Sequence, residues 1–397
     1  MIINRNIQAN LPNIKNLNKR KILHYIQRNQ GSSRSDISKA LNISKPTVSN
    51  FVDELIAEEW VREKESEKGS SSGGRKPYQL FFNENAYYLI GVDIGGTSVE
   101  IAIMNLDGVI ENKMSIETQR HVGSQLIPLI ADTIKSMIKD SQLTYDQIFG
   151  VGVGVPGITD VDNGVVIDAP SVGWENVPLR NRLEELLPFP VYLDNDVNIA
   201  ALGELWKGVG ETNSNFLMIT LGTGVGCGII INSQLYRGSS YAAGEIGYMV
   251  TDKKTAEKNY EHTFTGYGFL DNHVGGPSIT RRMKNYSSEA GNSETWSAKK
   301  VFQSAKSGDE IALEALNEPL SHLSFALINA ISLLNPERIV LGGRISKSMD
   351  QFLPSISATI DKHIPIQTEI ETTSVTDVSL LGAGYLLLME HESILKI

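Results

Sequence analysis

The 397-residue sequence predicts an α/β protein in two parts: a small helical head closed by a short hairpin, then a body of two similar α/β lobes facing a cleft. Three observations carry this expectation. Residues 1–80 hold 14 Lys+Arg against 8 Asp+Glu, a net +6, whereas the remaining 317 residues hold 22 against 38, a net −16. Short helix patterns with capping residues crowd into the basic part. In the acidic part a strand, glycine turn, strand pattern occurs twice, about 125 residues apart.

An apolar content of 41% can fill the cores of two or three domains. No apolar run reaches the roughly 18 residues of a membrane span, and MIINRNIQANLPNIKNLNKRK lacks the hydrophobic block of a signal peptide. The expected compartment is therefore the cytoplasm, with no membrane partner. One cysteine, Cys227, allows neither an intrachain disulfide nor a multi-cysteine zinc site.

In the head, Ile22, Tyr25 and Ile26 have helical spacing and the pattern stops at Gly31. Ser33-Arg34-Ser35-Asp36 has the form of a capping box and opens a short second helix carrying Ile37 and Leu41. After the Asn42-Ile43-Ser44 turn, Ser44 can cap a third helix with Pro46 in its first turn and Val48, Phe51, Val52 and Leu55 as its buried stripe. Two short helices joined by such a turn follow the helix-turn-helix plan.

The opposite side of the third helix then presents Lys45, Thr47, Ser49, Asn50 and Asp53, short polar side chains able to reach base edges, with Lys45 suited to a phosphate. YQLFF at 78–82 predicts a wing, with Arg75 and Lys76 at its tip or flank. A three-helix docking module is the alternative, but basic charge, capping and wing together favour double-stranded DNA. SSSGGRKP at 70–77 marks the wing or hinge, so the head spans 1–80.

The body begins near Asn83. YYLIGVDI, the turn GGT and VEIAIMN form the first strand pair, and NFLMITL, GTG and VGCGIII form the second. Glycine turns let backbone N–H groups approach anionic oxygens, and Thr97 and Thr223 add hydroxyls. Asp93 can hold a magnesium ion or orient water. GVGVGVPGITD at 150–160 lacks the helix that a dinucleotide fingerprint needs, because Pro156, Gly157 and Asp160 interrupt it. VYLDNDVN delivers Asp194, Asn195, Asp196 and Asn198 to the C-terminal end of a strand, before a helix starting near Ile199. Ligands of α/β sheets bind at that end, and carboxylates with amides suit sugar hydroxyls.

The ordered motifs GVDIGGT, GVGVPGITD, NDVNIAALGE, TLGTGVGCG, AGEIG and NPERIVLGG closely resemble those of the ROK family of bacterial sugar kinases and sugar-responsive repressors. The winged head with SSGGRKP resembles its repressor branch, of the xylose-repressor and N-acetylglucosamine-repressor type. The resemblance covers residues 17 to 390. It implies an actin-like, ribonuclease H-like kinase fold, with lobes at 83–205, rejoined by a C-terminal helix at 380–397, and at 206–379. It also implies Asn195 and Glu245 as sugar ligands and Asp196 at the position of the kinase base. Asp93, Gly95, Gly96, Thr97, Gly222, Thr223 and Gly224 would form a nucleotide-phosphate surface for ATP and magnesium.

Three departures from the family pattern stand out. Ser98 occupies a position usually lysine in the kinases. Tyr248 replaces a histidine that ligates zinc and touches sugar, although its hydroxyl can still bond a sugar. Phe269 lies at the last cysteine of the zinc motif and Asp271 where a sugar-binding glutamate would lie. His262 and His273 lack thiolate partners and are expected at the surface, so no structural zinc, and no metal, is expected.

A kinase must lower its barrier by at least about 8 kcal/mol, whereas an effector need only couple to DNA affinity by about 1–3 kcal/mol. The expected function is a homodimeric repressor of a carbohydrate-utilisation operon, with a sugar as effector and no obligatory cofactor. An active sugar kinase with a DNA-binding head, and a nucleotide-gated regulator, are the alternatives.

Overall fold

Ser33 and Ser44 fix the helix starts of the head. The computed structural model describes residues 14–65, 78–118, 123, 125–258, 267–289 and 295–390, with backbone alone at 14–16, 288 and 289. The head holds α1 (Ile14–Arg28), α2 (Arg34–Leu41) and α3 (Lys45–Ala57). Ser33 and Asp36 exchange side-chain-to-backbone hydrogen bonds in a complete capping box, and Ser44 Oγ accepts from the Thr47 N–H. The stripe Val48, Phe51, Val52 and Leu55 is buried against Ile22, Leu23 and Ile26. β1 (Val61–Glu65) and β2 (Tyr78–Phe82) pair antiparallel from Val61↔Phe82 to Glu65↔Tyr78. The expected wing contacts Arg75 and Lys76 lie outside the described residues.

The first lobe contains β3 (Tyr88–Ile94), β4 (Ser98–Asn105), β5 (Ile110–Glu117), α4 (Leu126–Asp140), β6 (Ile148–Val155), β7 (Ile158–Asp160), β8 (Val165–Ala169), β9 (Trp174–Val177), α5 (Leu179–Leu186), β10 (Val191–Asn195) and α6 (Asp196–Lys207). The second contains β11 (Phe216–Leu221), β12 (Val225–Ile231), β13 (Gln234–Leu235), α7 (Lys253–Ala256), α8 (Asp271–Val274), α9 (Gly276–Glu289), α10 (Ala298–Lys306), α11 (Glu310–Leu334), β14 (Arg338–Gly342), α12 (Leu353–His363) and β15 (Glu369–Thr372). The final helix is α13 (Val378–Glu390).

Two five-stranded sheets share one topology, with orders β10-β6-β3-β4-β5 and β13-β12-β11-β14-β15. In each, an antiparallel meander continues into two parallel strands. The loose repeat in the sequence is thus one folding unit used twice.

Between the sheets lie α6 and α13, whose Ile199, Leu202, Ala383 and Leu386 share a core with Phe216, Met218 and Val340 of the second sheet. Their contact is backbone to backbone. A Cβ on Gly382 would lie 1.8 Å from the Ile199 carbonyl oxygen, and one on Gly203 2.0 Å from that of Val378. Under α13 the sheet is equally bare: a Cβ on Gly152 would lie 1.9 Å from the Ala383 carbonyl oxygen, and one on Gly91 2.5 Å from that of Leu380. This explains why a fully buried strand such as β6 alternates glycine with valine.

The head shares a core with the body. Ile22, Val52, Leu80 and Phe82 join one buried cluster with Leu89, Met104, Phe149 and, from α13, Leu380, Leu381, Leu387 and Leu388. Trp60 and Tyr87 extend it, with ring centroids 4.8 Å apart, and Asn83 Nδ2 donates to the Glu59 carbonyl at 2.7 Å. Among the described residues no helix is long and apolar enough to cross a membrane.

Because α13 has no room for a methyl group at Gly382, Gly382→Ala is expected to destabilise the chain by about 1–3 kcal/mol through overpacking. Urea unfolding measures it, and an unchanged midpoint would refute the close crossing.

Candidate functional site

The site is built where the C-terminal ends of β3, β10 and β11 meet their turns. The resulting cleft has a volume of about 440 Å³ and is lined by both glycine turns, by Asn195 and Asp196, by Glu245, Tyr248, Tyr267 and Asp271, and by Arg344 and Ser379. The residues expected to bind sugar or phosphate, Asn195, Asp196, Glu245, Tyr248 and Asp271 with Asp93, Gly95, Gly96, Thr97, Gly222, Thr223 and Gly224, all line this one space, whereas Asp194 does not.

Asn195 is the N-cap of α6, its Oδ1 accepting from the Val197 and Asn198 N–H groups and its Nδ2 donating to the Gly157 carbonyl at 2.8 Å. The helix therefore starts at Asp196 and not near Ile199, because the cap was counted as ligand rather than as helix start. Asp194 and Asn198 are a buried structural pair: Asn198 Nδ2 donates to Asp194 Oδ1 at 2.8 Å, and Arg237 Nε donates to Asp194 Oδ2 at 2.6 Å. Of the four polar residues at this strand end, Asp196 is the one whose carboxylate is left to the cleft chemistry.

Asp271 accepts from the Val225 N–H at 2.7 Å and the Gly268 N–H at 2.9 Å, so its carboxylate ties the cleft wall together while bordering the space. Glu245 is exposed to the cleft and Tyr248 stands at its mouth, 56% exposed. Across that mouth the Tyr241 hydroxyl donates to Asp162 Oδ2 at 2.5 Å.

Asp93, Asp196, Glu245 and Asp271, four of the carboxyls lining the cleft, are all shifted toward the protonated form. Burial and the negative charges of Asp93 and Glu245 push Asp196 up to about 7. Burial and Glu100 push Asp93 up to about 6, against the opposing pull of Arg344 and a hydrogen bond from Ser379. Burial raises Glu245 and Asp271 as well. A partly protonated acidic cluster both donates to and accepts from hydroxyl groups, and Asp196 can take a hydroxyl proton near neutral pH.

Sequence reasoning missed Arg344, Ser379, Tyr241 and Tyr267. Arg344 follows directly on the glycine pair ending NPERIVLGG, and its guanidinium donates to Thr97 Oγ1 at 2.5 Å across the cleft. The charge expected to be missing at Ser98 is thus supplied from the other lobe. Arg344, Thr97, Thr223 and the turn glycines line the cleft together and could hold a phosphate group, and Asp93 could hold a magnesium ion. His273 also departs from expectation: it is half-buried, stacked on Phe269 at 4.3 Å and 4.2 Å from His322, ring centre to ring centre, instead of lying at the surface. His262 lies outside the described residues.

On the head, Lys45 and Asn50 are exposed and Thr47 and Ser49 partly so, on the α3 face opposite its buried stripe. Thr47 Oγ1 lies 2.7 Å from Ser44 Oγ, and Asp53 pairs with Arg34 at 2.8 Å, which fixes α2 against α3.

Residues 89–387 match the ROK family, and residues 15–62 match a winged helix-turn-helix DNA-binding family. This chain belongs to the ROK family. A xylose repressor of Caldicellulosiruptor bescii is 31% identical over 361 residues, 88% of this chain and 88% of its own. A glucokinase of Halalkalibacterium halodurans is 34% identical over 325 residues, 78% of this chain and 97% of its own. The crystal structure of a ROK family transcriptional regulator, a homologue of the E. coli MLC protein, superposes with a TM-score of 0.80 over 94% of this chain and 96% of its own at 22% identity, a likeness of fold. The ROK body thus comes with a winged helix-turn-helix head in a single chain.

Asp93 and Asp196 are protonated when folded at pH values where unfolded aspartates, near about 3.9, are ionised. The folded state binds more protons in that window, so stability falls as pH rises from about 4 to about 7. Asp196→Asn is expected to flatten this slope in urea unfolding between about pH 4 and 7; an unchanged slope contradicts the assignment.

Proposed function

We propose that this ROK protein is a sugar-responsive transcriptional repressor of a carbohydrate-utilisation operon, with the sugar held by Asp196, Glu245 and Tyr248 and bordered by Asn195 and Asp271. The observation that carries the proposal is the sharing of α13. Its first turn lines the cleft at Val378 and Ser379, and its Leu380, Leu381, Leu387 and Leu388 enter the core that the head also fills. A sugar that draws the lobes together must move α13 or strain it, and either outcome acts on the head. A coupling of about 1–3 kcal/mol is sufficient, since it changes operator affinity roughly 5- to 150-fold.

The xylose repressor relative supports xylose as the first sugar to test, because its 361 aligned residues exceed the span of the ROK body and so include head sequence. Thr47, Ser49 and Asn50 would read the major groove, with Lys45, Arg75 and Lys76 on phosphates. A two-fold dimer would match a palindromic operator. The cytoplasm is where such a protein meets both DNA and sugar.

One arrangement favours a second reading, a sugar kinase with a DNA-binding head. Asp93, Asp196 and Arg344 together line the cleft in positions suited to phosphoryl transfer. Asp196 would take the proton of the attacking hydroxyl, while Arg344, Thr97 and Thr223 would hold the phosphate. ATP with magnesium would supply that phosphate.

Operator binding measured with and without xylose and other sugars tests the repressor: at least about five-fold weakening by one sugar is expected, and no change with any sugar overturns it. Sugar-dependent ATP turnover that Asp196→Asn abolishes would establish the kinase reading. Asn50→Ala is expected to cost about 1–3 kcal/mol of operator affinity and leave sugar binding intact. Equal loss on random DNA would remove Asn50 from base reading.

A further inference from the structure

Away from the cleft, three side chains of the second lobe converge on one point. His273 of α8, with Glu318 and His322 one turn apart on α11, brings a ring nitrogen from each histidine and a carboxylate oxygen within 4.8 Å of one another. His322 Nε2 and Glu318 Oε1 are 3.5 Å apart. A charge-assisted hydrogen bond is shorter, about 2.7–2.9 Å. The separation is instead close to the edge, roughly 3.4 Å, of a tetrahedron with bonds of about 2.1 Å.

The surroundings of the three side chains have the form of an outer coordination shell. His273 Nδ1 lies 2.7 Å from the Phe269 carbonyl oxygen, which can only accept, so the proton sits on Nδ1 and the lone pair on Nε2. His322 Nδ1 lies 2.6 Å from Thr251 Oγ1. The second carboxylate oxygen of Glu318 accepts from Arg282. Metal-binding imidazoles and carboxylates are oriented by contacts of this kind. The two rings are tilted by 50° rather than stacked.

Charges face the cluster from every side: Asp252 from the start of α7, Arg281 and Arg282 from α9, Glu318 from α11. Two carboxylates there favour a dication that the two arginines oppose. A cluster serving packing alone would need neither a carboxylate one turn from His322 nor a fixed tautomer on His273.

We propose that His273, Glu318 and His322 form a binding site for one zinc-class divalent cation, with water completing a tetrahedron. The choice of two imidazoles and one carboxylate suits zinc better than calcium or magnesium, which take oxygen ligands. The proposal runs against the sequence expectation that the chain has no metal. An ion here ties α8 to α11. Asp271, two residues before His273, fastens the Val225 and Gly268 N–H groups of the cleft wall, so the ion stiffens that wall from behind.

The test uses the full chain stripped by a chelator and titrated calorimetrically with zinc, alongside His273→Gln, Glu318→Gln and His322→Gln. One ion per chain is expected, with a rise in melting temperature, and each substitution is expected to weaken binding roughly ten-fold or more. Cobalt gives a second readout: the intense visible bands of tetrahedral coordination in the parent chain, lost in the variants. Should buried His322→Gln fail to fold, the better-exposed Glu318→Gln and His273→Gln decide. No zinc bound by the parent chain, or undiminished affinity in either of those two variants, overturns the proposal.

Discussion

The architecture depends on one close approach. Helix α13 lies on the sheet at Gly91 and Gly152 and crosses α6 at Gly203 and Gly382, in each case with backbone carbonyls where a Cβ would otherwise stand. Packing at this distance leaves no side chain to absorb a displacement. Close-packed interiors switch between arrangements rather than deforming continuously, so a shift of one lobe is passed on as a shift of the helix. Both α6 and α13 start in the cleft, and α13 is also part of the wall on which the head rests. The glycines therefore fix both the shape of the body and the route by which cleft and head influence each other.

The second organising feature is the charge of the cleft. Asp93, Asp196, Glu245 and Asp271 border a space that Arg344 also lines, its guanidinium donating to Thr97 of the first glycine turn. Burial raises all four, and neighbouring carboxylates add to the rise at Asp93, Asp196 and Glu245, which suits a ligand offering many hydroxyls and no charge. Arg344 joins Thr97 of one lobe to a loop of the other, and Tyr241 joins Asp162 in the same way. Lobe closure is thus partly prepared by two polar contacts across the mouth. An incoming sugar or phosphate would compete with or reinforce them.

Much of this was legible in the sequence. The capping residues Ser33, Asp36 and Ser44 gave the head its helices, and the two glycine turns with their flanking strands gave the duplicated sheets. What escaped had physical reasons. That Asn195 caps α6 as well as lining the cleft was hidden, because an amide at a strand end serves a cap or a sugar equally well, and local spacing does not separate the two uses. Asp194 looked like a cleft residue because the partner that engages it, Arg237, lies about forty residues away; Asn198 does line the cleft while its amide donates to Asp194. Arg344 reaches Thr97, and His273 reaches the Glu318–His322 pair, only through tertiary folding, so no local pattern announces these contacts. The alternating glycines of β6 were visible, yet their reason, a helix from the end of the chain lying on them, was not.

The most direct measurement of the central claim is hydrogen exchange on the full-length protein, with and without a saturating sugar that binds the cleft. The account predicts altered protection along α13, residues 378–390, and in the α1 and α3 segments of the head that share its core, together with the cleft turns. Changes confined to the cleft, with α13 and the head exchanging identically in both states, would contradict it.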